Sequence, residues 1–185
     1  VKYTLIIGSL RKESLNRKLL SIIEQIINQD SLGEVSMIDR EDIDLPLYNQ
    51  DIEDKAMPEK VKEIAGKVKA SDALIICSPE YNGSISSPLK NTIDWISRIR
   101  PIPFKGLPIL LTGASPSGLG ARRAMSHAKV PFDAIGAFVY PENFGLSKAH
   151  EAFSEKGELM DSSQQERLSA LISDFDKFSK KLKAE

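Results

Sequence analysis

With 185 residues, 41% of them hydrophobic, the chain can bury the core of one α/β domain, and a single domain over residues 1–185 is expected. Its 25 Lys and Arg nearly cancel its 26 Asp and Glu, a balance that gives no reason to expect nucleic acid or an anionic membrane as the main partner. The single cysteine, Cys77, excludes an intrachain disulfide and a cysteine-based metal cluster, and a reducing, cytoplasmic setting is the simplest expectation.

The chain opens on Tyr3 to Ile7, a β-rich run ending at Gly8, with no small-residue cleavage site of a signal peptide. Leu15, Leu19, Ile22, Ile23, Ile26 and Ile27 then recur at helical spacing. Glu34 to Ile38 is a second strand candidate, followed by an acidic, Pro-containing stretch from Asp39 to Asp54, in which the run Asp39 to Asp44 reads as loop. Pro58 opens a helix carrying Val61, Ile64, Ala65 and Val68.

Ala73 to Cys77 is almost wholly apolar, as expected for a strand covered on both faces. Pro88 begins a helix with Leu89, Ile93 and Ile96. Pro108 to Thr112 and Ile135 to Val139 read as the fourth and fifth strands, separated by a helix from about Leu119 to Lys129. Asn143 to Asp161 has little periodicity and is expected to be a long surface loop with a helical turn. A final amphipathic helix presents Leu168, Leu171, Ile172, Phe175 and Phe178. Nowhere does an apolar run approach the roughly 20 residues that cross a bilayer.

Strands interleaved with helices imply a parallel sheet with right-handed crossovers, here taken as five strands in the order 2-1-3-4-5. In such sheets ligands bind beyond the carboxyl ends of the strands where the order reverses, so the loops after the first and third strands face one ligand.

In the first of these loops, Gly8 permits a tight turn, Ser9, Ser14 and Asn16 offer polar side chains, and Arg11 adds a permanent charge. A helix start contributes unpaired N–H groups and about half a unit of positive charge. Together they make a site for one phosphate. The nucleoside-triphosphate pattern G-x-x-x-x-G-K-[ST] and the dinucleotide pattern G-x-G-x-x-G are both absent. Read alone, the segment equally suits a helix capped by Ser14 beside a solvated Arg11. In the second loop, Pro79 and Gly83 impose an irregular backbone whose N–H groups suit the polar edge of a flavin, with Tyr81 beside the ring. Read alone, it also suits a Pro-Gly turn with no ligand.

Three signatures occur in order: Gly8-Ser9-x-Arg11-x-x-Ser14-x-Asn16, then Leu45-Pro46-Leu47-Tyr48-Asn49-x-Asp51, then Ser78-Pro79-Glu80-Tyr81-Asn82-Gly83-Ser84-x-x-x-Pro88-Leu89-Lys90-Asn91-x-x-Asp94-Trp95. With Thr112-Gly113-Ala114-Ser115-Pro116-Ser117-Gly118-x-Gly120, they resemble the NADPH-dependent FMN reductase family, which includes bacterial chromate and quinone reductases and azoreductases. The resemblance implies a flavodoxin-like fold, one noncovalent FMN, and NADPH or NADH as electron donor. By position, Ser9, Arg11, Ser14, Leu15 and Asn16 would bind the phosphate end of FMN. Pro79, Glu80, Tyr81, Asn82 and Gly83 would line its ring, and Ser115 would close the site.

The family's homodimers or homotetramers imply that Tyr48, Asn49 and Asp51 belong either to the site's surroundings or to an interface. Ser117 departs from the usual glycine, and the match fades beyond Asn143. The implied acceptors are quinones, azo compounds, chromate or free flavin. A flavodoxin-type electron carrier and a cofactor-free interaction domain are the competing classes. The near-neutral charge and Arg11 weigh against the carrier, and the intact polar loop weighs against the cofactor-free domain.

Other residues read more plainly. Cys77 is expected to be a core residue, and His127 and His150 surface histidines. Glu80 is either an orienter of Tyr81 or an exposed carboxylate. Arg98 and Arg100 suit nicotinamide phosphates or, preferably, salt bridges between subunits. No metal site and no catalytic side chain is expected; the chemistry would belong to the flavin.

Overall fold

In the computed structural model, which describes residues 1–184, β1 (Lys2–Ile7) leads through α1 (Leu15–Gln29) to β2 (Glu34–Ile38). Two short helices, α2 (Arg40–Ile43) and α3 (Gln50–Lys55), precede α4 (Glu59–Lys69) and β3 (Ala73–Cys77). A hairpin of β4 (Glu80–Tyr81) and β5 (Ser84–Ile85) comes before α5 (Ser87–Ile96). The order finishes with β6 (Pro108–Ala114), α6 (Arg122–Ala134), β7 (Phe138–Leu146) and α7 (Ser162–Ala184).

The main sheet runs β2-β1-β3-β6-β7 with every pair parallel, the expected 2-1-3-4-5 order once the separate hairpin is set aside. All residues of β3 and β6 are buried, because helices cover both sheet faces there. α1 packs with α7, while α4 packs with α5. The reversal between β1→β2 and the later crossovers separates these two layers, since each crossover keeps the same hand. The switch point therefore lies between β1 and β3.

Three expectations need correction. The fifth strand begins at Phe138 rather than Ile135, because α6 runs on to Ala134 and ends at Gly136 with φ +78°. It also continues to Leu146, taking the first four residues of the stretch expected to be loop. A bulge hides this continuity: Ile109 pairs with Val139, but Leu111 pairs with Asn143. Pro141 falls inside that bulge on an edge strand, where a missing N–H is tolerated.

The helix expected from Leu119 starts instead at Arg122, since Gly120 (φ +56°) and Ala121 (φ +61°) are left-handed. It also runs past the expected end near Lys129, through Pro131, to Ala134. The acidic stretch after β2 is not plain loop. Asp39 caps α2 and Asp42 answers it in a capping box. Asn49 caps α3, its side chain accepting from Asp51 N–H at 2.9 Å.

Candidate functional site

The carboxyl ends of the central strands are stitched together by short polar bonds. Gly8 N–H donates to the Cys77 carbonyl at 2.8 Å, and Ser78 N–H donates to the Thr112 carbonyl at 3.1 Å. Ser86 stands at the start of α5, but its hydroxyl donates to the Gly8 carbonyl at 2.5 Å rather than capping the helix. A Cβ on Gly8 would sit 3.0 Å from Ser78 Oγ and 3.1 Å from Ser78 Cα, so glycine here lets the first and third loops touch.

Asn16 ties in the next strand. Its Nδ2 donates to the Ala114 carbonyl at 3.0 Å, and its Oδ1 accepts from Ala114 N–H at 2.8 Å and from Cys77 Sγ at 3.2 Å. This amide, expected to meet phosphate, is instead largely committed to holding α1 against β6. Cys77 is the core residue expected: it is fully buried, and desolvation pushes its thiol up to about 12.

A cavity of about 230 Å³ opens over these stitched ends. The first loop contributes Ser9, Arg11, Ser14, Leu15 and Asn16; the third contributes Pro79, Glu80 and Tyr81; the fourth contributes Ala114, Ser115 and Pro116. The structure thus gathers nine of the eleven residues expected from sequence, adds Ala114 and Pro116, and leaves Asn82 and Gly83 outside the lining.

Several donors here have no protein acceptor. The side chain of Ser14 does not cap α1, and its hydroxyl has no partner among the described residues. No wholly buried side-chain polar atom lacks a bond among the described residues, so this hydroxyl looks onto the crevice. The N–H groups of Leu15 and Asn16, in the first turn of α1, also lack an acceptor among the described residues. Arg11 is exposed on the rim with no carboxylate partner among the described residues. An unpaired guanidinium, an unpaired hydroxyl and an open helix start line one cavity, and that donor set fits a phosphate group.

A larger cavity of about 440 Å³ lies between the second half of α1 (Ile22 to Gln29) and the segment from Glu158 to Glu166. It sits away from the strand ends, and its charged lining residues, Glu158 and Glu166, repel anions.

Beside the cavity wall formed by Pro79, Glu80 and Tyr81 the chain makes the hairpin β4–β5. Asn82 (φ +50°) and Gly83 (φ +76°) form its two-residue loop, both left-handed as a type I′ turn demands. The Asn-Gly dipeptide, rather than Pro79 with Gly83, is the sequence signal for this turn. Tyr81, 40% exposed, stands at the crevice. Glu80 is neither exposed nor bonded to Tyr81. Its carboxylate, 6% exposed, accepts from Arg123 Nε at 2.8 Å and from Arg123 N–H at 3.0 Å. His127 is exposed, as expected, and its Nδ1 lies 3.0 Å from Ser84 Oγ.

The segment Leu45–Asn49 docks on α5. The Pro46 carbonyl accepts from Trp95 Nε1 at 2.7 Å and Asn91 Nδ2 at 3.0 Å, and Tyr48 N–H donates to Asn91 Oδ1 at 2.8 Å. Arg98, expected to bridge subunits, pairs within the chain: Glu53 accepts from Arg98 Nε at 2.9 Å and from Tyr48 OH at 2.9 Å. Two of the sequence signatures are therefore one packed unit.

Residues 1–151 match the family described as NADPH-dependent FMN reductase. The chain belongs to this family. The match spans all three crevice loops and the segment docked on α5. The chain is 35% identical to an NAD(P)H-dependent FMN reductase of Pseudomonas aeruginosa, over 90% of this chain and 88% of that one. It is 29% identical to a quinone reductase of Escherichia coli, over 96% and 95% of the two chains. The flavoenzyme NAD(P)H:acceptor oxidoreductase FerB of Paracoccus denitrificans superposes with a TM-score of 0.83 at 30% identity, over 97% of each chain. This FMN reductase family member is accordingly an oxidoreductase, with FMN and a reduced nicotinamide as its cofactors. Among the described residues, no helix is long and apolar enough to cross a membrane and no metal-holding cluster occurs.

Proposed function

We propose that the 230 Å³ crevice holds FMN noncovalently and that the chain passes electrons from NADPH or NADH to small oxidised acceptors. The observation that carries the reading is the set of unsatisfied donors around Ser14 and Arg11 at the β1–β3 switch point. Ser9, Arg11, Ser14 and the first N–H groups of α1 hold the phosphate. Pro79, Glu80, Tyr81, Asn82 and Gly83 form the ring side, with backbone N–H groups supporting negative charge on a reduced ring. Ser115 closes the fourth side. Asn16 acts from behind by fixing the start of α1 to β6.

When bound, FMN supplies the hydride and electron chemistry that no side chain here offers. The chain's part is orientation and exclusion of water. The acceptors are quinones, azo compounds, chromate or free flavin, and protons come from solvent. Residues 1–185 act as one domain, as a homodimer or homotetramer whose partner completes the pocket, in the cytoplasm.

Steady-state nicotinamide oxidation, run with each acceptor and each nicotinamide, tests this reading. Turnover that requires both FMN and an acceptor supports it. A protein that binds FMN yet oxidises neither nicotinamide with any acceptor is an electron carrier instead.

A further inference from the structure

The hairpin on the ring side of the crevice stands apart from the main sheet, and α6 grips it. Both oxygens of the nearly buried Glu80 carboxylate go to one residue, Arg123, through its Nε at 2.8 Å and its backbone N–H at 3.0 Å. That backbone group lies in the first turn of α6, whose N-cap position is Ala121, a residue with no side-chain acceptor. Glu80 supplies the acceptor that this helix start lacks, and its charge meets the positive end of the helix dipole.

The grip has two further points. The Arg123 side chain lies 3.8 Å from where a Cβ on Gly83 would stand, so it sits against the turn. One helical turn along, His127 Nδ1 lies 3.0 Å from Ser84 Oγ. α6 therefore contacts the hairpin on both sides of Asn82–Gly83. An ion pair with Arg123 60% exposed is weak by itself. The buried carboxylate is the stronger constraint, because Arg123 is its partner at both oxygens and removing that side chain leaves one oxygen unsatisfied.

We infer that Arg123 is a positioning residue: through Glu80 it sets Tyr81 and the hairpin backbone against the ring side of the crevice. α6 begins where the loop carrying Ser115 ends, so the clasp also joins the third-strand and fourth-strand loops into one unit. This inference rests on the proposed placement of FMN.

The test compares Arg123→Ala, Arg123→Lys and Glu80→Gln with Arg11→Ala. In FMN-free Arg123→Ala, hydrogen exchange over residues 80–85 should speed up about tenfold, the loss expected for one charge-assisted hydrogen bond. In the FMN-loaded protein the KM for the nicotinamide should rise by about the same factor. FMN affinity should fall less than in Arg11→Ala, and Arg123→Lys should recover part of the effect. If Arg123→Ala does not fold, Arg123→Lys and Glu80→Gln give the same two readings. Exchange and KM at wild-type values in all three clasp variants, with FMN still dependent on Arg11, overturn the inference alone. FMN affinity indifferent to Arg11 overturns the placement on which it rests, while exchange over residues 80–85 still reports on the clasp.

Discussion

The side-chain amide of Asn16 closes a two-point bond on the backbone of Ala114, donating to its carbonyl at 3.0 Å and accepting from its N–H at 2.8 Å. The bond is buried between α1 and the end of β6, with Asn16 only 3% exposed. It fixes the helix start at one wall of the crevice to the strand that leads into the opposite wall.

Asn16→Ala should destabilise the fold and the site together. It leaves the Ala114 N–H and carbonyl without partners, at about 1–3 kcal/mol for each buried group left unsatisfied. Urea unfolding should show a lower midpoint, and FMN affinity should fall although no phosphate donor has been removed. A stable variant with wild-type affinity would show that the clamp does not shape the site.

Arg11→Ala should separate the two effects. The side chain is exposed and unpaired among the described residues, so stability should stay within about 0.5 kcal/mol of wild type. FMN affinity should fall about tenfold to a hundredfold, the range for a charge-assisted hydrogen bond of about 1.5–3 kcal/mol. Added salt should narrow the gap between the two proteins. Flavin fluorescence titration at two salt concentrations measures all of this.

Gly145→Ala should be among the more damaging small substitutions. Its new Cβ would stand 2.4 Å from the Gly120 carbonyl oxygen, which is backbone and cannot swing away. Overpacking of this kind costs about 1–3 kcal/mol or more. Gly118→Ala, where nothing lies within 4 Å of the added Cβ, is the control. Thermal unfolding should rank the two clearly, with Gly118→Ala near wild type.

Stability should fall as pH rises into the alkaline range. Burial lifts the Cys77 thiol from an ordinary 9.0 to about 12, and burial with the Asp176 hydrogen bond raises the Tyr3 phenol. Both groups keep their protons in the folded chain at pH values where the unfolded chain releases them. The unfolded state then binds fewer protons, so unfolding becomes easier with pH, by up to about 1.4 kcal/mol per pH unit for each group. For Cys77 the stabilisation is intact below 9.0 and is lost as pH climbs through about 12. Urea midpoints at pH 8 and pH 11 should differ more in the wild type than in Cys77→Ala. Equal differences would remove Cys77 from the account.

Sheet order and crevice position were legible in sequence because both depend on local patterns. Ala73–Cys77 is apolar without interruption, and Ser9 to Asn16 gathers its donors in one short loop that runs into a helix start. What escaped depends on partners distant in the chain. Glu80 and Arg123 are 43 residues apart, and nothing near either marks the other. Asn16 looks like a phosphate donor until Ala114 is seen to occupy it across 98 residues. The second half of β7 was hidden by Pro141 and Glu142 in its bulge, although Phe144 and Leu146 beyond it are buried. The hairpin is the exception, since Asn82-Gly83 announces it locally.

The most direct test of the central claim is an anaerobic titration of the FMN-loaded protein with NADPH and with NADH, followed in visible absorbance. One FMN per chain should bleach on addition of at least one nicotinamide, and the colour should return when a quinone is added. A protein that takes up no FMN, or whose bound flavin keeps its colour with both nicotinamides, would contradict the account.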